Sequence, residues 1–293
     1  NSVGVTGVSS SAAVLTISDG ATYDFGSLAV GTTAEFTFTV NNTGGTNANS
    51  MAGGGLVAPF IYKGGTYPGT AGTCSTALVP AGNCTIVVTY TPTTLGLDTD
   101  TVQIDYNDGV TTQASMRDVQ GTGLSAAVID ISDSPLYDFG NIATTSTVEH
   151  TFVLTNSGQS SATSIVVTGL AAPYDFKGGT YPGTGGTCAA SLAPSATCDI
   201  VVTFTPTING AQLDSLIVDF NNSVSAQQST RDIQGAGADP ATITISDGPT
   251  YDYGVRGVGS FTDFSFTLSN SGGVAATAMA DAAGLLAPYT FKG

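Results

Sequence analysis

A frame of 114 residues recurs along this chain, and that periodicity constrains its fold more than any single motif. Ile17-Ser18-Asp19 returns as Ile131-Ser132-Asp133 and as Ile245-Ser246-Asp247. Tyr23-Asp24-Phe25-Gly26 returns as Tyr137-Asp138-Phe139-Gly140 and Tyr251-Asp252-Tyr253-Gly254. The run Lys63-Gly64-Gly65-Thr66-Tyr67-Pro68-Gly69-Thr70 reappears from Lys177 to Thr184, and Arg117-Asp118 reappears as Arg231-Asp232. A repeat of this length is a whole structural unit, so the chain reads as an array of modules. The frame places modules at 11–124 and 125–238, the first half of a third at 239–293, and the tail of a preceding one at 1–10. Val5-Thr6-Gly7 in that tail aligns with Val119-Gln120-Gly121. The third copy stops at Gly293 inside a motif that the others complete, and half a sandwich buries too little surface to stand alone. The expectation is therefore that the array continues in both directions, with further chain or a neighbouring molecule completing the half module.

Within each copy apolar residues alternate with Thr, Ser or Asp, which is the period-two signature of strands with one buried face. Leu15 and Ile17 mark the first row, and Phe36, Phe38 and Val40 the second, which Asn42-Thr43-Gly44-Gly45 ends with turn chemistry. Ile86, Val88 and Tyr90 make a third row that Pro92 closes, since proline has no amide to give a ladder. Val102, Ile104 and Tyr106 form a fourth, and 111–119 supplies the last strand; Ile200, Val202, Phe204 and Leu216, Val218, Phe220 repeat two of these rows. About seven short strands per hundred residues, without helical periodicity, predict an all-β chain of tandem immunoglobulin-like β-sandwich modules.

Charge narrows the function. Twenty-two acidic residues face six basic ones, a formal charge of -16, so the basic stripe that phosphate binding requires is missing and nucleic acid is excluded as a partner. No apolar run approaches the roughly 18 residues of a membrane span. Cys74, Cys84, Cys188 and Cys198 form two pairs with the same spacing, the pattern of intradomain disulfides in an exported protein. A separation of ten residues is too short to join two sheets across a core, so each pair is expected to pin a loop to the following strand, worth roughly 2–3 kcal/mol. Zinc is disfavoured, because the lone His150 has no cysteine near it.

The motif from Lys177 to Cys188, with Leu192-Ala193-Pro194 and the run from Cys198 to Pro206, resembles the bacterial choice-of-anchor D repeats. These are similar to the abnormal-spindle and Hydin type of immunoglobulin-like domain. Asn156-Ser157-Gly158 and Gln234-Gly235-Ala236-Gly237 fit the same pattern, and the resemblance covers nearly the whole chain. It implies exported, surface-anchored and often very long bacterial proteins whose ligands are mostly unknown, with no catalytic residues to carry over. Arg117-Asp118 and Arg231-Asp232 depart from it, standing in a strand that is usually more apolar.

A few constellations bear on chemistry. Gly121-Thr122-Gly123-Leu124-Ser125-Ala126 matches a loose dinucleotide fingerprint, but it lies between β modules rather than before a helix and reads as a flexible junction. His150 takes the place of Phe36 and Phe264 on an inward face, with no nucleophile motif to serve. Calcium between modules would stiffen a rod, and Asp98, Asp100, Asp118, Asp130 and Asp133, with Asp105 and Asp108, offer hard oxygen ligands. Against this, Gln212 and Asn222 replace Asp98 and Asp108 in the second copy. Five of the six cations occupy repeated positions, which predicts assigned carboxylate partners: Lys63 with Asp24, Lys177 with Asp138 and Lys292 with Asp252. A Lys–Asn isopeptide bond is the covalent alternative. No cofactor is expected.

The reading that follows is a non-catalytic extracellular structural protein, a rod, stalk or filament on a bacterial surface, whose partners are neighbouring modules of the same protein in a possible homopolymer. The alternative is an adhesin whose loops bind a host, prey or carbohydrate ligand. The variable stretch at 47–55, 160–169 and 274–284 is small and polar rather than aromatic, which favours the structural reading.

Overall fold

The computed structural model describes residue 7, residues 9–281 and residues 284–292. Most of the expected tail at 1–10, including Val5 and Thr6, lies outside the described residues.

The first sandwich has nine strands: β1 (Leu15–Ile17), β2 (Thr22–Ala29), β3 (Ala34–Asn42), β4 (Ala48–Gly54), β5 (Phe60–Tyr62), β6 (Ala77–Leu78), β7 (Asn83–Tyr90), β8 (Gly96–Asn107) and β9 (Thr112–Leu124). The second has nine more: β10 (Ile129–Ile131), β11 (Leu136–Ala143), β12 (Val148–Asn156), β13 (Ala162–Thr168), β14 (Tyr174–Phe176), β15 (Ser191–Leu192), β16 (Thr197–Phe204), β17 (Gly210–Asn221) and β18 (Ala226–Ala238). In the third segment β19 (Ile243–Ile245) pairs antiparallel with β20 (Leu268–Asn270).

Each sandwich faces a four-stranded sheet, β1-β3-β7-β5 or β10-β12-β16-β14, with a five-stranded one, β2-β9-β8-β4-β6 or β11-β18-β17-β13-β15. After β1 the chain crosses to the other sheet, where β2 runs parallel to β9; the remaining pairings of this sandwich are antiparallel. A break in register between Asp24 and Ser27, at the positive-φ Gly26, bends β2 along this edge.

The alternating rows meet between the sheets. Phe38, Val40, Ile86, Val88 and Tyr90 face Val102, Ile104 and Val119 in one core, and Phe152, Leu154, Ile200, Val202 and Phe204 face Leu216, Val218 and Ile233 in a separate one. All are buried, and each such side chain contributes about 1.5–3 kcal/mol. Two sequence expectations need correction. The variable stretch at 47–55 and 160–169 is largely strand rather than loop: β4 and β13 pair with β8 and β17 and send Met51, Ile165 and Val167 into the cores. The Gly121–Ala126 run is no flexible junction through Leu124: it is the end of β9, paired with β8 on one side and β2 on the other. Gly121 is needed there because a Cβ would meet the Tyr90 ring at 2.4 Å.

Candidate functional site

The repeated arginines tie the sheets. Arg117 on β9 donates Nη2 to the Ile17 carbonyl of β1, and Arg231 on β18 reaches the matching strand with Nη2 on Ile131 O at 2.5 Å and Nε on Ser132 O at 2.8 Å. Arg231 is buried, so its charge is held by main-chain dipoles. The same strands are met by hydroxyls from the facing sheet: Tyr106 accepts from the Leu15 amide at 3.2 Å, and Ser229 donates to the Ile129 carbonyl at 2.6 Å. The outer edges of β1 and β10 are thus capped by side chains. Asp118 and Asp232, the companions of the arginines, point to the opposite face and accept from Thr101 and Ser215 at 2.8 Å.

A buried asparagine forms a second tie, where the sequence suggests turn chemistry alone. Asn156 Nδ2 donates to Ser160 O at 2.9 Å and Leu192 O at 3.0 Å, while its Oδ1 accepts from the Val128 and Gly158 amides. Asn42 repeats the pattern with Thr46 O, Leu78 O and the Val14 and Gly44 amides. One side chain thereby joins the entry strand, the turn and the β15 or β6 edge.

The cysteines form the two disulfides Cys74–Cys84 and Cys188–Cys198, each fastening the loop before β6 or β15 to the start of β7 or β16.

The lysine partners differ from the sequence expectation. Lys63 pairs with Glu35 at 2.6 Å, Lys177 with Glu149 at 2.8 Å, and Lys292 with Asp263. Asp24 and Asp138 lie in the other sheet, where they accept from Gln120 and Gln234 and from the Gly26 and Gly140 amides; Asp252 accepts from Gly254. The Gln120 and Gly26 bonds hold the Asp24 carboxyl below its ordinary range. The lysine pairs are half-exposed and oppose carboxylates rather than asparagines, so the isopeptide alternative has no amide partner at these contacts.

The calcium candidates are dispersed. Asp98 accepts from the Tyr90 hydroxyl at 2.9 Å, Asp100 from the Val57 amide, Asp130 from Ser157, and Asp133 from Ser132. No group of three potential metal ligands occurs among the described residues. Replacement in the second copy follows from these roles. Phe204 stands where Tyr90 does and needs no acceptor, so Gln212 suffices for Asp98. Asn222 Oδ1 accepts from the Val224 and Ser225 amides as Asp108 Oδ1 does from Val110 and Thr111.

His150 stacks on Tyr137 with ring centroids 3.7 Å apart, as Phe36 does on Tyr23 and Phe264 on Tyr251. Its Nε2 lies 3.1 Å from Asp133 Oδ2, the same oxygen that accepts from Ser132 Oγ at 2.5 Å. The Ser132 bond first, then His150, keeps Asp133 below the usual carboxylate range. A catalytic triad needs histidine between serine and acid; here the acid is in the middle. Ser18-Asp19 and Ser246-Asp247 make the same hydroxyl–carboxylate contact beside a phenylalanine, so this arrangement belongs to the strand end.

Residues 127–236 match a family described as HYDIN/CFA65/VesB-like, Ig-like domain. The fold is immunoglobulin-like. Among solved structures, the chain resembles a Porphyromonas gingivalis W83 protein of unknown function at 10% identity, covering 76% of this chain and 99% of that one, with a TM-score of 0.31. It also resembles the ASH/PapD-like domain 7 of human CEP192 (16% identity, 39% and 88% covered, TM-score 0.31). Vibrio cholerae VesB protease is similar at 16% identity, over 38% of this chain and 32% of the protease, with a TM-score of 0.31. No curated protein matches the chain. The fold assignment therefore stands on strand order and the family match. The chain's two disulfides are compatible with an extracellular setting. No helix among the described residues is long and apolar enough to cross a membrane.

Proposed function

We propose that the chain is a non-catalytic segment of an extracellular structural repeat protein of the choice-of-anchor D kind, forming a rod or stalk on a bacterial surface. The observation that carries this reading is where its distinctive polar groups go. Both repeated arginines, the two buried asparagines and most of the candidate acids bond within their own sandwich, which holds sheets together and leaves no assembled constellation for chemistry among the described residues. Each sandwich adds a disulfide suited to an oxidising compartment. The acidic surface keeps such a rod soluble and away from anionic polymers. Electron microscopy of the native material tests the proposal: elongated particles with a regular spacing of one sandwich support it, and compact or globular particles refute it.

A further inference from the structure

The boundary between the first two sandwiches has no linker. Leu124 is the last residue of β9: it pairs with Ala29, and its carbonyl accepts from the Val30 amide at 2.9 Å. Ser125, the next residue, is held entirely by the second sandwich. Its amide donates to Gln159 Oε1 at 3.0 Å, its Oγ accepts from the Gln159 amide at 3.0 Å, and its carbonyl accepts from Ser160 Oγ at 2.8 Å. A single peptide plane, that of Leu124–Ser125, is thus bonded to both units, by its carbonyl to the first and by its amide to the second. Leu28 and Thr32 from one side, and Gln159 and Pro194 from the other, line a groove around this point. The next boundary is built alike. Ala238 pairs with Ala143 and accepts from the Thr144 amide at 2.9 Å, while the Asp239 carbonyl accepts from Gly273 at 2.9 Å. There Asn209 of the second sandwich also donates to Asp239 Oδ1 at 2.8 Å across the boundary.

We propose that these boundaries are fixed joints, so that adjoining sandwiches turn as one body, and that Gln159 is the clamp of the first joint. A flexible tether would let each unit tumble separately, the default for domains joined by linkers; here the torsions that would allow it are bounded by bonded residues on both sides. Gln159 grips Ser125 through side chain and backbone; its counterpart Gly273 has no side chain with which to do so, and at that boundary the Asn209–Asp239 bond takes its part. The inference deepens the rod reading, because a chain of fixed joints transmits orientation along its length.

Residual dipolar couplings of the whole chain in a weakly aligning medium test it. One alignment tensor fitting the amides of both sandwiches is expected; two tensors of different magnitude overturn the fixed joint. In Gln159→Gly the two tensors are expected to separate, as they must in a control with Gly-Ser-Gly-Ser inserted between Leu124 and Ser125. A single tensor in Gln159→Gly removes Gln159 from the role of clamp. Unchanged amide shifts in the sandwich interiors show that the variant is folded. The rod reading is judged separately by microscopy: a single tensor with compact native particles rejects the rod and keeps the joint, and two tensors with elongated particles do the reverse.

Discussion

Arg231 on β18 grips Ser132 at the end of β10, with Nε 2.8 Å from the carbonyl, so a cation of one sheet closes the edge of the other. The geometry dictates the residue type, because two carbonyls of neighbouring residues are reached at once by the fork of a guanidinium, which an ammonium lacks.

Arg231→Ala should destabilise the second sandwich by about 2–3 kcal/mol, the scale of hydrogen bonds to a charged group, and Arg231→Lys should recover part of that loss. Hydrogen exchange resolved by residue checks it: protection should fall in the second sandwich and persist in the first.

Asn156→Ala should cost about 2–4 kcal/mol, because it strips partners from buried backbone groups on three segments at once. Asn42→Ala should do the same to the first sandwich. Urea denaturation of each variant measures the loss, and a change under about 0.5 kcal/mol, ordinary for a surface position, would refute the role.

Asp108 makes the first sandwich acid-sensitive at a position where the second carries the non-titrating Asn222. Bonds from the Thr111 and Val110 amides hold its carboxyl below the ordinary range, so the folded value is depressed relative to about 3.9 in the unfolded chain. Its contribution is complete above that value and is lost as pH falls through the folded one. Asp108→Asn, the solution that Asn222 already represents, should leave the melting temperature at pH 7 nearly unchanged and flatten its decline below about pH 4. Equal acid slopes in the two proteins would count against this.

Reduction of Cys188–Cys198 should lower stability by about 2–3 kcal/mol for so short a loop. Calcium or a chelator should leave the melting temperature unmoved, since the acids proposed from sequence are spent on separate hydrogen bonds. Paired calorimetric scans with reductant and with chelator read both effects.

The apolar rows of β3, β7 and β8 are legible in the sequence because period two is a local property, and the cysteine spacing is legible because a short loop restricts what it can join. The lysine partners are not. Asp24 recurs beside them in the repeat frame, but whether β2 pairs with β9 or lies near β3 is decided by a sheet crossover that no local pattern records. Nor is β4 legible: Ala48, Met51 and the following glycines lack the β-branched bulk that marks a strand, and neighbouring β8 supplies the pairing instead. The arginines stand out by their repetition, yet their carbonyl partners lie about 100 residues away in sequence. Asn42 looks like one of many turn asparagines; only its burial distinguishes it.

The capped edges of β1 and β10 have a consequence for a chain built from near-copies. Units tethered in one polypeptide meet each other at effective concentrations that can reach millimolar, and similar sequences offer each other nearly correct strands while folding. An uncapped entry strand would be an invitation to pair with the neighbour's sheet rather than its own. With Arg117 or Arg231 and the Tyr106 and Ser229 hydroxyls occupying those carbonyls and amides, each sandwich closes on itself, and the two can fold side by side in one polypeptide without knitting together.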